Sequence, residues 1–397
     1  MKNKIIFLVI LSILTSSFFY GCGINKENEI VIWSHLGDKE TNEIKNAAEE
    51  WGRLNGIKLK VHSDRGDNRA YIEAVKHGIG PDIEIGVPHN KLEKLRTEQL
   101  LAEVPEKLID KNKYVDVALD TVKYNNKLYG LPLTFSSYAV YYNKDKIKNP
   151  PETMEQLIEL GKKYGFEYDI NNFYLSYSFI ASQGGYVFGE ENGVYNVQDI
   201  GLNNEGAIEG YKFLQDLTQK YKVIPSDIEG IKARKDFEAG KTAFYINGPW
   251  DLEEINKSDI SFATIPLPLT KGKITPSYVT VETAYVSSKS KNINKSWEVL
   301  KYILEKTPVS LFDINGKIPA RKDVLDAAKF KNNEKLSAFI YQANNAGVPI
   351  PNVTELQGLQ DAPQALKLLT SGKISPKECG ESIVKSTKAF IKKLHEK

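Results

Sequence analysis

The chain alternates between short apolar runs and stretches in which apolar residues recur every three or four positions. EIVIW (29–33) has the density of a buried strand. Behind it, Ile44, Ala47, Ala48, Trp51 and Leu54 fall on one face of a helix, and Gly56 stands where such a helix would stop. IKLKV (57–61) again reads as a strand, residues 69–77 as a helix, and GPDIEIGV (80–87) as a strand. Strands alternating with helices of this length predict an α/β architecture, with a parallel sheet and helices on its faces.

Past residue 120 the rhythm changes. VKYNNKLYGLP predicts a hairpin turned at Asn125-Asn126, and YAVYYNKD a further strand. Helical spacing returns after Pro151, where Thr153 and Gln156 are placed as a capping box, and again from Asn204 to Tyr221. Ser375-Pro376 with Glu378 opens a last helix whose apolar positions are Ile383, Val384, Phe390, Ile391 and Leu394. The chain has 397 residues, more than the roughly 250 to 300 that one core usually holds, which predicts two lobes. No repeat or low-complexity linker follows residue 29, so the chain is expected to pass between the lobes more than once.

Composition changes this picture mainly at the N-terminus. Lys2 and Lys4 precede an apolar run from Ile5 to Tyr20, and Gly21-Cys22 follows. The run is shorter than the roughly 20 residues of a spanning helix, and its anatomy is that of a secretory signal, with a short membrane anchor as the other reading. FFYGC resembles the bacterial lipobox, with Phe19 where that pattern prefers an aliphatic residue. This implies removal of residues 1–21, lipidation of Cys22 and a tether over 22–28. Cys379 is then the remaining cysteine, which excludes a disulfide framework and a cysteine metal site. Removing Lys2 and Lys4 lowers the 53 basic residues to 51, against 51 acidic ones. A neutral chain carries no electrostatic footprint for nucleic acid.

Catalytic constellations are missing. The five histidines, at 35, 62, 77, 89 and 395, have neither HExxH spacing nor cysteine partners. GxGxxG, GxxxxGK[ST] and GxSxG do not occur, so neither a nucleotide cofactor nor a serine nucleophile is expected. Glu190-Glu191 and Glu253-Glu254 are the carboxylate pairs that a cell-surface glycosidase would need, and adjacent acids of this kind more often solvate a turn or open a helix. The 21 tyrosines and four tryptophans point elsewhere, because a ring with a polar tip can stack on the apolar face of a sugar.

TAFYINGPWDLEEI (242–255) is similar to the corresponding segment of maltose/maltodextrin-binding proteins, the substrate-binding components of ABC sugar importers. VIWSHLGDK (31–39), GPDI (80–83), YNNKLYGLP (124–132), YYNKD (141–145), GGYVFGEENGVYNVQDIGLNNEGA (184–207) and VSSKSKN (286–292) agree in order and spacing. The resemblance implies a two-lobed, periplasmic-binding-protein-like fold with a hinged cleft and several crossovers. Lobe I would comprise residues 29–134 and 284–328, and lobe II residues 135–283 and 329–397. It further implies an exported, monomeric lipoprotein on the outer face of the cytoplasmic membrane. Such a protein captures an oligosaccharide, a maltodextrin-type glucan first and another glycan as the alternative, and delivers it to an ABC permease without catalysis or cofactor.

The same resemblance places ligand-binding roles on Asp38 and Lys39, on His89, and on the aromatic residues Tyr174 and Trp250. Departures fall among the partners. Asn90-Lys91 stands for Asp-Arg, Ser136 for a glutamate, and Asn172-Phe173-Tyr174 for Glu-Pro-Tyr. Leu359 lies near the position of a tryptophan, and Val87 replaces an aromatic residue. Losing a tryptophan, a second aromatic residue and three carboxylates changes which sugar fits, since a carboxylate only accepts hydrogen bonds whereas an amide also donates. Trp250 has two readings. It is a platform at the cleft rim, with Pro249 in a first helical turn and Gly248 easing the exit from the strand, or it is a core wedge between strand and helix.

Overall fold

A computed structural model describes residues 29–64, 66, 68–191 and 194–396. The signal segment, Cys22 and the tether lie outside the described residues. The strands of the two main sheets and the longer helices begin with β1 (Glu29–Ser34), α1 (Asp38–Asn55), β2 (Lys58–Ser63), α2 (Asn68–Lys76), β3 (Ile83–Pro88), β4 (Leu131–Ser136), β5 (Ala139–Asn143), α3 (Met154–Tyr164), β6 (Phe166–Glu167), α4 (Phe173–Ala181), α5 (Glu205–Gln219) and α6 (Gly230–Glu238). They continue with β7 (Phe244–Asn247), β8 (Phe262–Ile265), β9 (Ser277–Val286), α7 (Ile293–Lys306), α8 (Pro308–Asn315), β10 (Ile318–Pro319), α9 (Ser337–Ala346), β11 (Gly347–Pro349), α10 (Ala362–Thr370) and α11 (Pro376–His395).

Local chemistry accounts for the element ends. Gly56 closes α1 in the left-handed region at φ 66°, where glycine pays no Cβ penalty. Asn125 and Asn126 both have positive φ, 47° and 61°, as a primed hairpin turn requires. Thr153 with Gln156 and Ser375 with Glu378 form complete capping boxes on α3 and α11. Of the apolar positions expected on the α1 face, Leu54 is 71% exposed. On α11, Ile383, Val384 and Ile391 are buried, whereas Phe390 and Leu394 are half-buried.

The first sheet runs in the order β10-β4-β9-β3-β1-β2, with β11 beside β9. β1 pairs in parallel with β2 and β3, as the alternation predicts. β9 is antiparallel to both β3 and β4, so the sheet is mixed rather than parallel. The physical reason is that β9 returns from the second lobe instead of entering through a helical crossover. The second sheet runs β8-β5-β7-β6, with β5 antiparallel to its two neighbours and β7 parallel to β6.

Each sheet anchors its own hydrophobic core. One core gathers Ile30, Ile44, Trp51, Ile83, Leu133, Tyr285, Trp297 and Leu311, and the other gathers Phe135, Tyr141, Phe166, Tyr211, Phe244, Phe262, Leu366 and Ile391. The chain passes from one core to the other within β4, between Leu133 and Phe135, and within β9, between Val281 and Ala284. A third passage lies between Leu311 and Ile318, after which Ala320 and Leu325 pack with the second core. Two lobes joined by three passages, two of them strands and the third the turn from α8 into β10, can move about them as a unit, which is the geometry of a hinge.

Candidate functional site

The lobes meet over one face of the β4–β9 pair. The antiparallel register sets Ser136 opposite Thr280 and Thr134 opposite Glu282, so these four side chains share a face, while Phe135 and Val281 point into the second core. β10 lies on the other side of β4, with Ile318 opposite Phe135, and this register brings Lys317 alongside Ser136. The result is a polar strip of hydroxyls flanked by a carboxylate and an ammonium.

The charges on the strip are tied together. Lys317 Nζ stands 2.8 Å from Glu282 Oε1 and 3.0 Å from Glu40 Oε1. Thr134 Oγ1 donates to Glu282 Oε2 at 3.1 Å, and Glu40 Oε2 accepts the Gly37 N–H at 3.0 Å in the capping arrangement that opens α1. Burial alone would lower the Lys317 ammonium, but Glu282 and Glu40 outweigh it and hold its pKa above the usual value. Asp38 and Lys39 follow Gly37 in the exposed first turn of α1, at the carboxyl end of β1.

Lobe II supplies rings. The Tyr174 hydroxyl lies 3.3 Å from Thr280 Oγ1, and its ring packs on Tyr278 at 5.7 Å and Tyr138 at 5.0 Å. Burial pushes the Tyr174 phenol up to about 12, so it acts as a neutral hydroxyl. Trp250 follows at 6.2 Å from Tyr174. With 44% of its surface exposed, Trp250 is not a core wedge. Its neighbour Pro249 reaches lobe I, where a Cβ on Gly316 would stand 3.4 Å from the Pro249 carbonyl oxygen.

The NGPW turn is mounted from below. Asp251 accepts from Tyr245 Oη and Asn247 Nδ2, each at 2.7 Å, and Tyr141 Oη donates to the Gly248 carbonyl at 2.6 Å. Pro249 opens a short 3-10 turn, as expected. The expected role of Gly248 needs correcting. Its φ of −93° and ψ of 178° are extended backbone that any residue adopts. What requires glycine is the indole: a Cβ at 248 would stand 2.1 to 2.5 Å from Trp250 Cζ3, Cη2 and Cε3, so the ring lies flat on the glycine.

The remaining sequence candidates are dispersed. His89 is buried, its Nδ1 accepts the Val281 N–H at 3.1 Å, and its Nε2 lies 3.0 Å from the Ile350 carbonyl. Burial drives its pKa down to about 4, so it is a neutral strut between passages, with both nitrogens engaged by backbone. It lines a separate cavity of about 660 Å³, together with Tyr124, Glu190, Tyr195 and Asn352, that neither Tyr174 nor Trp250 reaches. Asn90 and Lys91 continue the turn begun at His89. Asn172 caps α4 by accepting the Tyr174 N–H at 3.0 Å and borders a groove with Asp169 and Lys367. The structure thus groups Ser136, Tyr174 and Trp250 around the strip, and adds Thr280, Glu282, Lys317 and Asp251, which sequence reasoning missed. The available signal was SYVTVET, where Thr280 and Glu282 alternate with the apolar Val279 and Val281.

Residues 46–338 match the family model described as bacterial extracellular solute-binding protein. A galactooligosaccharide-binding protein of Bacillus subtilis (strain 168) is 30% identical over 94% of this chain and 91% of its own length. A maltooligosaccharide ABC transporter solute-binding lipoprotein of Streptococcus pneumoniae is 29% identical over 93% and 90%, respectively. Among solved structures, the maltose-maltodextrin binding protein of Alicyclobacillus acidocaldarius superposes with a TM-score of 0.77 at 30% identity, covering 91% of this chain and 100% of that one. A cyclo/maltodextrin-binding protein complexed with maltotetraose gives 0.84 at 28% identity, covering 92% and 97%.

Proposed function

Because this chain belongs to the family of bacterial extracellular solute-binding proteins, we propose that it captures an oligosaccharide between its lobes and delivers it to an ABC permease. The supporting observation is the pairing of an exposed indole, Trp250, with a strip of hydroxyl and charged groups on the strands that join the lobes. Rings stack on the apolar face of a pyranose, and the polar groups take its hydroxyls. A maltodextrin-type glucan is the first ligand, in keeping with relatives and structural neighbours named for maltooligosaccharides and maltodextrin. A galactooligosaccharide is the second, supported by the relative named for that ligand and by Asn90, Ser136 and Asn172 standing where the resemblance places acids.

Cys22 is the proposed lipid attachment point, holding the chain at the outer face of the membrane. No described helix is long and apolar enough to cross one. The protein acts without catalysis, as a monomer, through two lobes between which the chain passes within β4, within β9 and between Leu311 and Ile318, so that the expected end of lobe I at 328 moves back before Ile318. Titration calorimetry with maltotriose and galactotriose tests the central claim, and sugar recovered uncleaved after long incubation separates capture from hydrolysis. Binding of neither sugar at millimolar concentration, or cleavage of either, would refute it.

A further inference from the structure

Resting on sugar capture as the function, we propose that Glu282 and Lys317 are the specificity-setting pair of the site, an acceptor and a donor that read neighbouring hydroxyls of the pyranose stacked on Trp250. Four observations lead there. First, register puts both residues on the strip beside Ser136 and Thr280, and two contacts bring lobe II's platform to it: Tyr174 on Thr280, and Pro249 against Gly316. Second, the pair is partly open, with 18% and 27% of the Lys317 and Glu282 side chains exposed, whereas Glu40 behind them is 4% exposed. Glu40 is therefore the interior anchor, and the other two charges face outward.

Third, hydrogen-bonding capacity remains. An ammonium has three N–H groups and a carboxylate about four lone-pair directions. Lys317 Nζ donates one hydrogen bond to Glu282 and turns a second N–H toward Glu40 in an ion pair, and Glu282 spends one direction per oxygen on Lys317 and Thr134. One donor and two acceptor directions are left. A sugar hydroxyl both donates and accepts, so two adjacent hydroxyls can satisfy this set, and a ring lacking one of them leaves a partly desolvated charge unmet. Fourth, Ser136 stands where the resemblance places a glutamate, so on this strip the carboxylate is Glu282.

The test uses the full mature protein, titrated with maltotriose, β-1,4-galactotriose and the monodeoxy derivatives of whichever binds. Wild-type protein should bind one monodeoxy sugar at least about tenfold more weakly than its parent, as expected when a site built for a hydroxyl loses it. Glu282→Gln keeps the side-chain shape and an acceptor for Thr134. It should lose about tenfold in affinity for the parent sugar, with an unchanged melting temperature, and the penalty for the deoxy analogue should shrink toward none. That second readout separates contact from scaffolding, because a purely structural role would weaken parent and analogue alike. Wild-type affinity and an intact deoxy penalty in Glu282→Gln overturn the inference, and if Trp250→Ala still loses binding, sugar capture survives without it. Wild-type protein that binds neither trisaccharide overturns the reading on which the inference rests.

Discussion

The two walls that meet over β4 and β9 are built from opposite materials. Lobe II offers a row of rings, Tyr278 stacked on Tyr174 and Trp250 tilted against it, mounted on buried hydroxyl and carboxylate bonds. The β4–β9 junction, together with Glu40 and Lys317 of lobe I, offers an ionic chain, Glu40, Lys317 and Glu282, over strand hydroxyls. The aromatic wall is held by its own lobe and can lose a ring at the surface without leaving a void. The ionic wall is held by charge balance, and removing its cation, Lys317, strands the buried Glu40. One wall should therefore fail in binding, and the other in stability as well.

The largest expected effect lies at the joint that carries both walls. His89 has an ordinary pKa of 6.5 when unfolded and about 4 when folded. As pH falls through that window the unfolded chain takes up the proton first, so stability present at neutral pH is lost between them, by about 3 kcal/mol. Urea melts at pH 7 and 4.5 should show this loss in the wild type and a smaller one in His89→Gln. Identical acid limbs would mean that His89 is not held neutral.

Next comes the ionic wall. Lys317→Met leaves Glu40 without its cation and should cost about 2 to 3 kcal/mol of unfolding free energy, read from urea denaturation. No loss of stability would place the two walls on the same footing. On the aromatic wall, Trp250→Ala should reduce sugar affinity by about tenfold or more, roughly 1.4 kcal/mol, and leave the melting temperature within a few degrees. A large drop in melting with normal sugar binding would reverse the comparison.

Smaller still is Gly248→Ala, which keeps the indole but lifts it from its seat. Calorimetry should show a loss of about three- to tenfold, with the fold intact. An unchanged affinity would show that the ring need not lie on the glycine. Tyr174→Phe retains the ring and removes a long hydroxyl contact to Thr280, so about 0.5 kcal/mol, or roughly twofold in affinity, is expected.

Local signals in the sequence were sufficient wherever the deciding contact lies within a few residues. The Asn125-Asn126 turn, the Gly56 stop and the Thr153 and Ser375 boxes depend on backbone preferences and hydrogen bonds that span at most four positions. The NGPW turn and its indole were also legible, because proline at a helix start and a tryptophan beside it are local facts. Whether that indole was core or surface was not local, since its exposure depends on where lobe I stops.

The sheet's mixed character, the strut role of His89 and the polar strip belong to the tertiary structure. β9 reads as one strand of alternating polar and apolar residues, and nothing within it announces that its two halves pack in different cores. Glu282 meets Thr134 across 148 positions and Lys317 across 35, and His89 finds its backbone partners 192 and 261 positions away. Sequence by itself determined the two-lobed α/β plan and the proline-opened turn that carries Trp250, because each follows from composition or short-range pattern. Which charges share a face was decided by strand register, and register is set by whole-sheet packing, in which a slip of one residue would turn Glu282 from the strip into the core.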